Sequence, residues 1–204
     1  MKVSISGVRG IFGDDLNLKD IIHYCRNFSS LIKTKKCVVG RDTRPSGEIV
    51  TNVAIASLLE RGITVYNLGI SPTPVIFREA RKYGSGLIVT SSHNPLEWNG
   101  LKFILEGRGI NESELEQLVK KAKFQKEKFG TETQVQSSYI DEAAKLIGRI
   151  KKSPKIAIDV GGGAAFEVAP QLLRKLGCKV SVINRIPGKS TRGPDPTNDK
   201  LSGL

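Results

Sequence analysis

The chain has 204 residues, 39% hydrophobic and 25% charged, with a formal net charge of +12 at pH 7. That length allows one large domain or one and a fraction, and the apolar share is enough for a packed core. The charge raises nucleic-acid binding as a reading, but the basic residues fall in small scattered clusters (Lys33, Lys35 and Lys36; Lys120, Lys121 and Lys123; Lys151 and Lys152) and aromatics are only 6%, so charge alone does not carry it.

In chain order, Met1 to Ile5 reads as a short strand leading into a loop at Gly7, Arg9 and Gly10. Leu18, Ile21, Ile22, Cys25, Phe28, Leu31 and Ile32 recur at helical spacing. Lys36 to Val39 is a strand, and Ser46 is placed to cap a helix from Glu48 to Arg61 that Gly62 stops. Ile63 to Leu68 is a strand, Pro74 to Tyr83 a helix ended by Gly84, and Gly86 to Val89 a buried strand. Asn99-Gly100 is a turn signal. Asn111 caps a helix through Val119, and the charged run Lys120 to Gln136 reads as a linker. Ser138 to Ile150 is a further helix, followed by a strand from Ile156 to Val160, a helix from Ala164 to Leu176 and a strand from Lys179 to Ile183. The last twenty residues read as loop. The alternation predicts an α/β fold: a mostly parallel sheet with helices on both faces, plus a partial second α/β unit. The expected division is 1–130 and 131–204, the latter a linker helix and an incomplete second domain. Ile156, Ile158, Val180 and Val182 are expected to stay exposed there, because two strands and one helix cannot cover both faces of a sheet.

Three cysteines, Cys25, Cys37 and Cys178, form no C-x-x-C pair. Cys25, on the apolar face of a helix, and Cys37, at the start of a strand, fit buried thiols, and a reducing, cytoplasmic compartment is expected. No signal-peptide core and no membrane-length apolar run is present. Gly161-Gly162-Gly163 follows a strand, but Phe166 stands where a dinucleotide fingerprint needs its third glycine, and Asn184 and Arg185 stand where its acid belongs. A tight strand-to-helix turn is the better reading.

The most informative stretch runs from Thr90 to Lys102. A hydroxyl, Ser92, sits where a strand empties into a loop, which is where open α/β sheets bind ligands. His93 is beside it, Asn94-Pro95 turns the loop, and Lys102 returns ten residues later. A nucleophile, a proton carrier and a cation suggest chemistry on an anionic substrate. Read as structure alone, Ser92 would cap an Asn-Pro turn, His93 would make a loop hydrogen bond, and Lys102 would be a solvated lysine. His23, within the first helix and without a motif, reads as structural.

Thr90-Ser91-Ser92-His93-Asn94-Pro95 followed by Asn99-Gly100-Leu101-Lys102 resembles the phosphoserine signature of the α-D-phosphohexomutases, T-[AS]-S-H-N-P with N-G-x-K. Ser6-Gly7-Val8-Arg9-Gly10 resembles that family's G-x-R-G loop, and Gly40-Arg41-Asp42-Thr43-Arg44-Pro45-Ser46-Gly47 its G-R-D-x-R-x-S-G segment. Leu68 to Pro74 and, more weakly, Pro194 to Thr197 also match. The resemblance implies phosphate transfer between C1 and C6 of a hexose phosphate (glucosamine, glucose or mannose) through a phosphoserine at Ser92, with a hexose bisphosphate as intermediate or activator. It implies catalytic roles for Ser92, His93, Lys102 and Arg9, and phosphate or substrate binding by Arg41, Arg44 and Asn99. Arg41 and Asp42 could equally form a structural ion pair. The adjacent Ser91 stands where the family often has alanine. One Mg²⁺ is implied, held through the Ser92 phosphate and a D-G-D-x-D-R loop. That loop, the G-E-x-S-G sugar loop and the phosphate-binding domain of the family are not in this sequence. The chain therefore resembles the N-terminal part of such an enzyme, with activity of its own in doubt and the missing parts on a possible separate chain. The alternative is an inactive, truncated paralogue that binds phosphate or a partner. Salt-dependent nucleic-acid binding is the third reading. No membrane association is expected.

Overall fold

The structure, a computed structural model, describes residues 1–120, 128–190 and 193–195. A short hairpin of β1 (Lys2–Ser4) and β2 (Gly7–Ile11) opens the chain, followed by α1 (Leu18–Leu31), β3 (Lys36–Arg41), α2 (Gly47–Glu60), β4 (Thr64–Ile70), α3 (Thr73–Tyr83) and β5 (Ser85–Val89). Next come β6 (Trp98–Leu105), β7 (Arg108–Gly109), α4 (Glu112–Val119) and β8 (Glu132–Gln134). The remainder is α5 (Tyr139–Ile147), β9 (Lys155–Asp159), α6 (Val168–Lys175) and β10 (Lys179–Ile183). No helix among the described residues is long and apolar enough to cross a membrane.

Local chemistry explains the helix ends. Asn17 starts α1 by accepting from Lys19 N, while Asp20 reaches back to Asn17 N, so two otherwise unpaired donors are satisfied together. Asn111 and Glu114 repeat this at α4. Gly84 closes α3 at φ 87°, a left-handed conformation that costs glycine little. Ser46 precedes α2 but makes no capping bond. Its Oγ accepts from Asn99 Nδ2 instead, at 2.8 Å.

The main sheet has the order β1-β2-β6-β5-β3-β4-β8, with β7 beside β6. The half made of β5, β3, β4 and β8 is parallel, as the alternating pattern predicts. The other half is antiparallel, and the reason is a correction to the sequence reading: Asn99-Gly100 does not turn but runs on within β6, between β2 and β5. The segment around Arg9 is likewise strand β2 and not a loop.

Helices cover both faces. On one, α1, α2 and Leu118 of α4 pack over Cys37, Val39, Leu87, Val89, Leu101 and Phe103. Phe28 lies at 5.0 Å from Phe103, ring centroid to centroid, and burying one such side chain contributes about 1.5–3 kcal/mol. On the other face, Ile76 and Ala80 of α3 pack on Val38, Ile88 and Ile104. β5 is buried along its whole length.

The region read as a linker holds a strand. β8 pairs parallel with β4, Val65 N donates to Thr131 O at 2.7 Å, and Asn67 Nδ2 donates to Glu132 at 2.8 Å. A boundary after residue 130 therefore separates this edge strand from its own sheet. Lys121 and Lys123 lie outside the described residues, as do Pro196 and Thr197.

β9 and β10 pair parallel as a separate two-stranded sheet. α5 ends at Gly148, short of Ile150, and α6 begins only at Val168 because residues 164–167 are turns. Ile156, Ile158, Val180 and Val182 are half-buried, not exposed, since α6 packs against β10. The exposed apolar side chains of this region include Leu146 (89%), Ile147, Ile150, Ile183 and Ile186.

Candidate active site

β5 delivers Thr90 to the end of the sheet, where Thr90 N still donates to Gly100 O at 3.0 Å. Two residues on, Ser92 adopts φ 59°, a left-handed conformation that a non-glycine residue rarely takes. Thr90 Oγ1 accepts from Ser92 N at 3.0 Å and donates to Asp42 Oδ2 at 2.6 Å. Asn94 closes the turn with Nδ2 donating to Ser91 Oγ at 3.0 Å. The side chain of Ser92 is left exposed. Its Oγ lies 3.4 Å from His93 Nδ1, a long contact for a hydroxyl hydrogen bond. His93 is exposed as well.

Arg44 and Asn99, which the resemblance places at the substrate, are engaged within the protein here. Arg44 is only 3% exposed. Its Nε donates to Asp42 Oδ2 at 3.0 Å, one terminal nitrogen donates to Pro95 O and to Trp98 O (2.9 Å), and the other donates to Ser92 O (2.8 Å) and Asn94 O (2.7 Å). A guanidinium has five N–H donors, so none remains for a phosphate. Asn99 is fully buried; it ties β6 to Ser46, and its Oδ1 accepts from Gly100 N at 2.8 Å. Asp42 pairs with Arg44 rather than Arg41. Arg41 is half-buried, donates to Asp42 O at 3.3 Å and lies 3.9 Å from Glu48, at the rim near the start of α2.

Arg9 and Lys102 come together. Arg9 lies opposite Gly100 in the β2–β6 register. Side chains alternate along a strand, so Gly100, Lys102 and Ile104 share the α3 side of the sheet and Arg9 emerges on that side too. A side chain at position 100 would not fit: its Cβ would lie 2.2 Å from Val8 O and 3.0 Å from Arg9 Cα. Burial lowers the Lys102 pKa below its ordinary value, and the nearby Arg9 charge lowers it further. That makes Lys102 a readier proton acceptor than a free lysine.

A cleft of about 390 Å³ opens beside the serine loop, lined among others by Thr73, Thr90, Ser92, Gly162 and Ser190. One wall is the β9–α6 turn, so both units of the chain build it. Thr43 Oγ1 donates across the junction to Gly162 O at 2.9 Å. Gly161-Gly162-Gly163 thus acts as a cleft wall. Its N–H groups are bonded to Asp159 Oδ1, Asn184 O and Val160 O, which leaves no phosphate cradle. The sequence marked this triplet as a turn but carried no sign that the turn faces Ser92. Arg9, His93 and Lys102 are not in the lining. Among the described residues, no group of three or more His, Cys, Asp or Glu side chains could hold a metal ion. The Mg²⁺ that the resemblance implies is therefore not fitted by these residues alone.

The thiols lie apart from this chemistry. Cys25, Cys37 and Cys178 are free and buried, and burial pushes the Cys37 thiol up to about 12 and Cys25 higher still.

The family model for phosphoglucomutase/phosphomannomutase, alpha/beta/alpha domain I, matches residues 1–129. A probable phosphoglucosamine mutase of Methanocella arvoryzae is 32% identical, over 98% of this chain and 47% of the relative. A phosphoglucomutase/phosphomannomutase of Thermococcus kodakarensis is 33% identical, over 97% of this chain and 48% of the relative. Among solved structures, a phosphoglucomutase/phosphomannomutase family protein from Burkholderia thailandensis superposes with a TM-score of 0.77 at 28% identity, covering 91% of this chain and 45% of that one. The chain spans about half the length of the curated relatives it matches.

Proposed function

From the premise that the chain belongs to the phosphoglucomutase/phosphomannomutase family, we propose that it carries the phosphoryl-accepting serine of a phosphohexomutase. The observation that supports this best is Ser92: exposed, held left-handed at the end of β5, and opening on the cleft. In the proposed step a hexose bisphosphate gives one phosphoryl group to Ser92 Oγ. The P–O bond to the sugar breaks, the bond to Oγ forms, the serine proton passes to a nearby base, and the leaving sugar oxygen takes up a proton. The phosphoserine then gives its phosphoryl group to the free C1 or C6 hydroxyl of a hexose monophosphate, and the bisphosphate so formed turns round and returns its other phosphoryl group to Ser92. Lys102, with its lowered pKa, suits the base role, and His93 is the alternative nearest the hydroxyl. Arg9 and Arg41 are the cations with donors to spare for phosphate oxygens.

Relatives named for phosphoglucosamine mutase and for phosphoglucomutase/phosphomannomutase make glucosamine, glucose and mannose phosphates the candidate substrates. Further binding and cation-holding groups would come from elsewhere, on the same polypeptide or on a separate chain. A divalent ion such as Mg²⁺ would offset charge on the transferring phosphoryl group. Buried free thiols fit a reducing, cytoplasmic setting. A second reading, a phosphate-binding chain without turnover, is favoured by the absence of Arg9, His93 and Lys102 from the cleft lining.

The test is incubation with labelled glucose 1,6-bisphosphate and Mg²⁺, followed by mass-spectrometric mapping. Label on Ser92 supports the proposal; label on Ser91 or elsewhere with Ser92 bare overturns it. In a coupled assay the chain by itself is expected to fall well short of about one turnover per second, the low end of ordinary enzymes.

A further inference from the structure

We infer that Arg44 is the positioning residue for Ser92, acting through the loop's backbone and not on phosphate; the inference rests on the reading of Ser92 as phosphoryl carrier. A loop that places a hydroxyl at a cleft must hold its carbonyl groups against water's competition. Arg44 does this from inside. Its guanidinium spans the loop from Ser92 to Trp98 and gathers four carbonyl oxygens, those of Ser92, Asn94, Pro95 and Trp98. The fifth donor goes to Asp42, which also accepts the Arg44 backbone N–H at 3.1 Å and the Thr90 hydroxyl. Thr90 in turn accepts from Ser92 N. Ser92 is thus held on both sides, its N–H through Thr90 and Asp42 and its carbonyl by Arg44.

This arrangement accounts for the strained residue. A serine at φ 59° persists only where its surroundings over-determine it. The arginine's planar fork suits a fixed set of carbonyls, and lysine, with three donors on a point charge, cannot span them. Arg44 also keeps its own charge compensated by Asp42, so burial leaves no lone cation. It is withdrawn from the cleft's chemistry while it sets the cleft's geometry.

The experiment compares the full chain with its Arg44→Lys variant. The first measurement is amide hydrogen exchange over residues 91–98, with β3 and β5 as internal reference. The expected result is at least tenfold faster loop exchange with unchanged core exchange. Loop exchange within twofold of the wild type would overturn the inference. Should Arg44→Lys fail to fold, Asp42→Asn serves in its place with the same expectation.

The second measurement separates support from direct phosphate contact. Phosphoserine is installed at position 92, and its second ionisation is followed by phosphorus NMR. Against the ordinary value of about 6, a backbone strut predicts no Arg44-dependent depression, whatever Arg9 and Arg41 contribute. A value well below that in the wild type, lost in Arg44→Lys, would mean the guanidinium touches phosphate, and the inference fails. The bisphosphate labelling reports independently. If Ser92 never labels in the wild type but Arg44→Lys loosens the loop, the carrier reading falls and the support role stands. If Ser92 labels equally fast in both proteins, the carrier reading stands and the positioning role falls.

Discussion

β5 and β9 are both five-residue strands that run into a glycine- or serine-bearing loop at the cleft, yet they end in different surroundings. Every residue of β5 is buried, because β3 and β6 flank it and helices lie on both faces. β9 has a single neighbour, β10, and none of its residues is fully buried. The difference lies in the number of neighbours and layers. A strand's own apolar run offers burial; adjacent strands and two covering layers supply it. The cleft therefore has one rigid wall, at Ser92, and one lightly supported wall, at Gly162.

The sharpest test of that contrast is a matched pair of core truncations. Phe28→Ala should cost about 3–5 kcal/mol, as removal of a fully buried aromatic does. Ile158→Ala, at a half-buried site, should cost about 1–2 kcal/mol, at or below the lower end for an aliphatic truncation. Urea unfolding of both variants measures this, and equal costs would break the comparison. Within the rigid wall, Ser92→Gly should be neutral or stabilising by up to about 1 kcal/mol, since glycine avoids the left-handed penalty. The same variant should accept no label from the bisphosphate.

Two smaller effects divide the regions by pH. Lys102 has a folded pKa below its ordinary 10.5. At neutral pH both folded and unfolded states carry the proton, and the fold bears the burden of a half-buried charge. The folded state releases that proton first as pH rises, so stability climbs up to the unfolded value. Lys102→Met should accordingly stabilise at pH 7, with the gain shrinking as pH approaches 10.5; a gain that grows with pH would contradict this. Glu142 on α5 behaves oppositely. Its carboxyl is held down to about 2 by Lys82, Ser138 and Arg78. Its contribution is present above the ordinary 4.5 and is lost as pH falls from there toward 2. Because Glu142 is exposed to screening, the effect should be small and should disappear in high salt. Exchange at α5 amides between pH 5 and 2.5, in wild type and Glu142→Gln, measures it.

Much of this fold was legible in the sequence because helix ends and buried strands carry local chemistry. Asn111 and Gly84 mark termini within a residue of their places. What escaped has a tertiary cause. Asn99-Gly100 has turn composition, yet it is strand, because β2 passes so close that only glycine fits at position 100. β8 has no apolar residue to announce it; its place comes from the open edge of β4. At the site, the motif identified Ser92, His93 and Lys102 as a group worth attention. It carried no sign that Arg44 and Asn99 are tied up within the protein, because a buried arginine bonded to carbonyl oxygens and an exposed one look the same in one dimension.

The pairing of β8 with β4 has a practical consequence for anyone who shortens this chain. The family model ends at residue 129, and a protein cut there would lose Thr131 to Val135. Val65 N and the carbonyl of Asn67 would lose their partners, and Leu59 O would lose the Gly130 amide. β4 would become an open, seven-residue parallel edge bearing Val65, Tyr66 and Leu68, with no charge along it to deter another strand. Such edges recruit copies of themselves. The natural place to cut lies beyond Val135, where three polar residues have already closed the sheet.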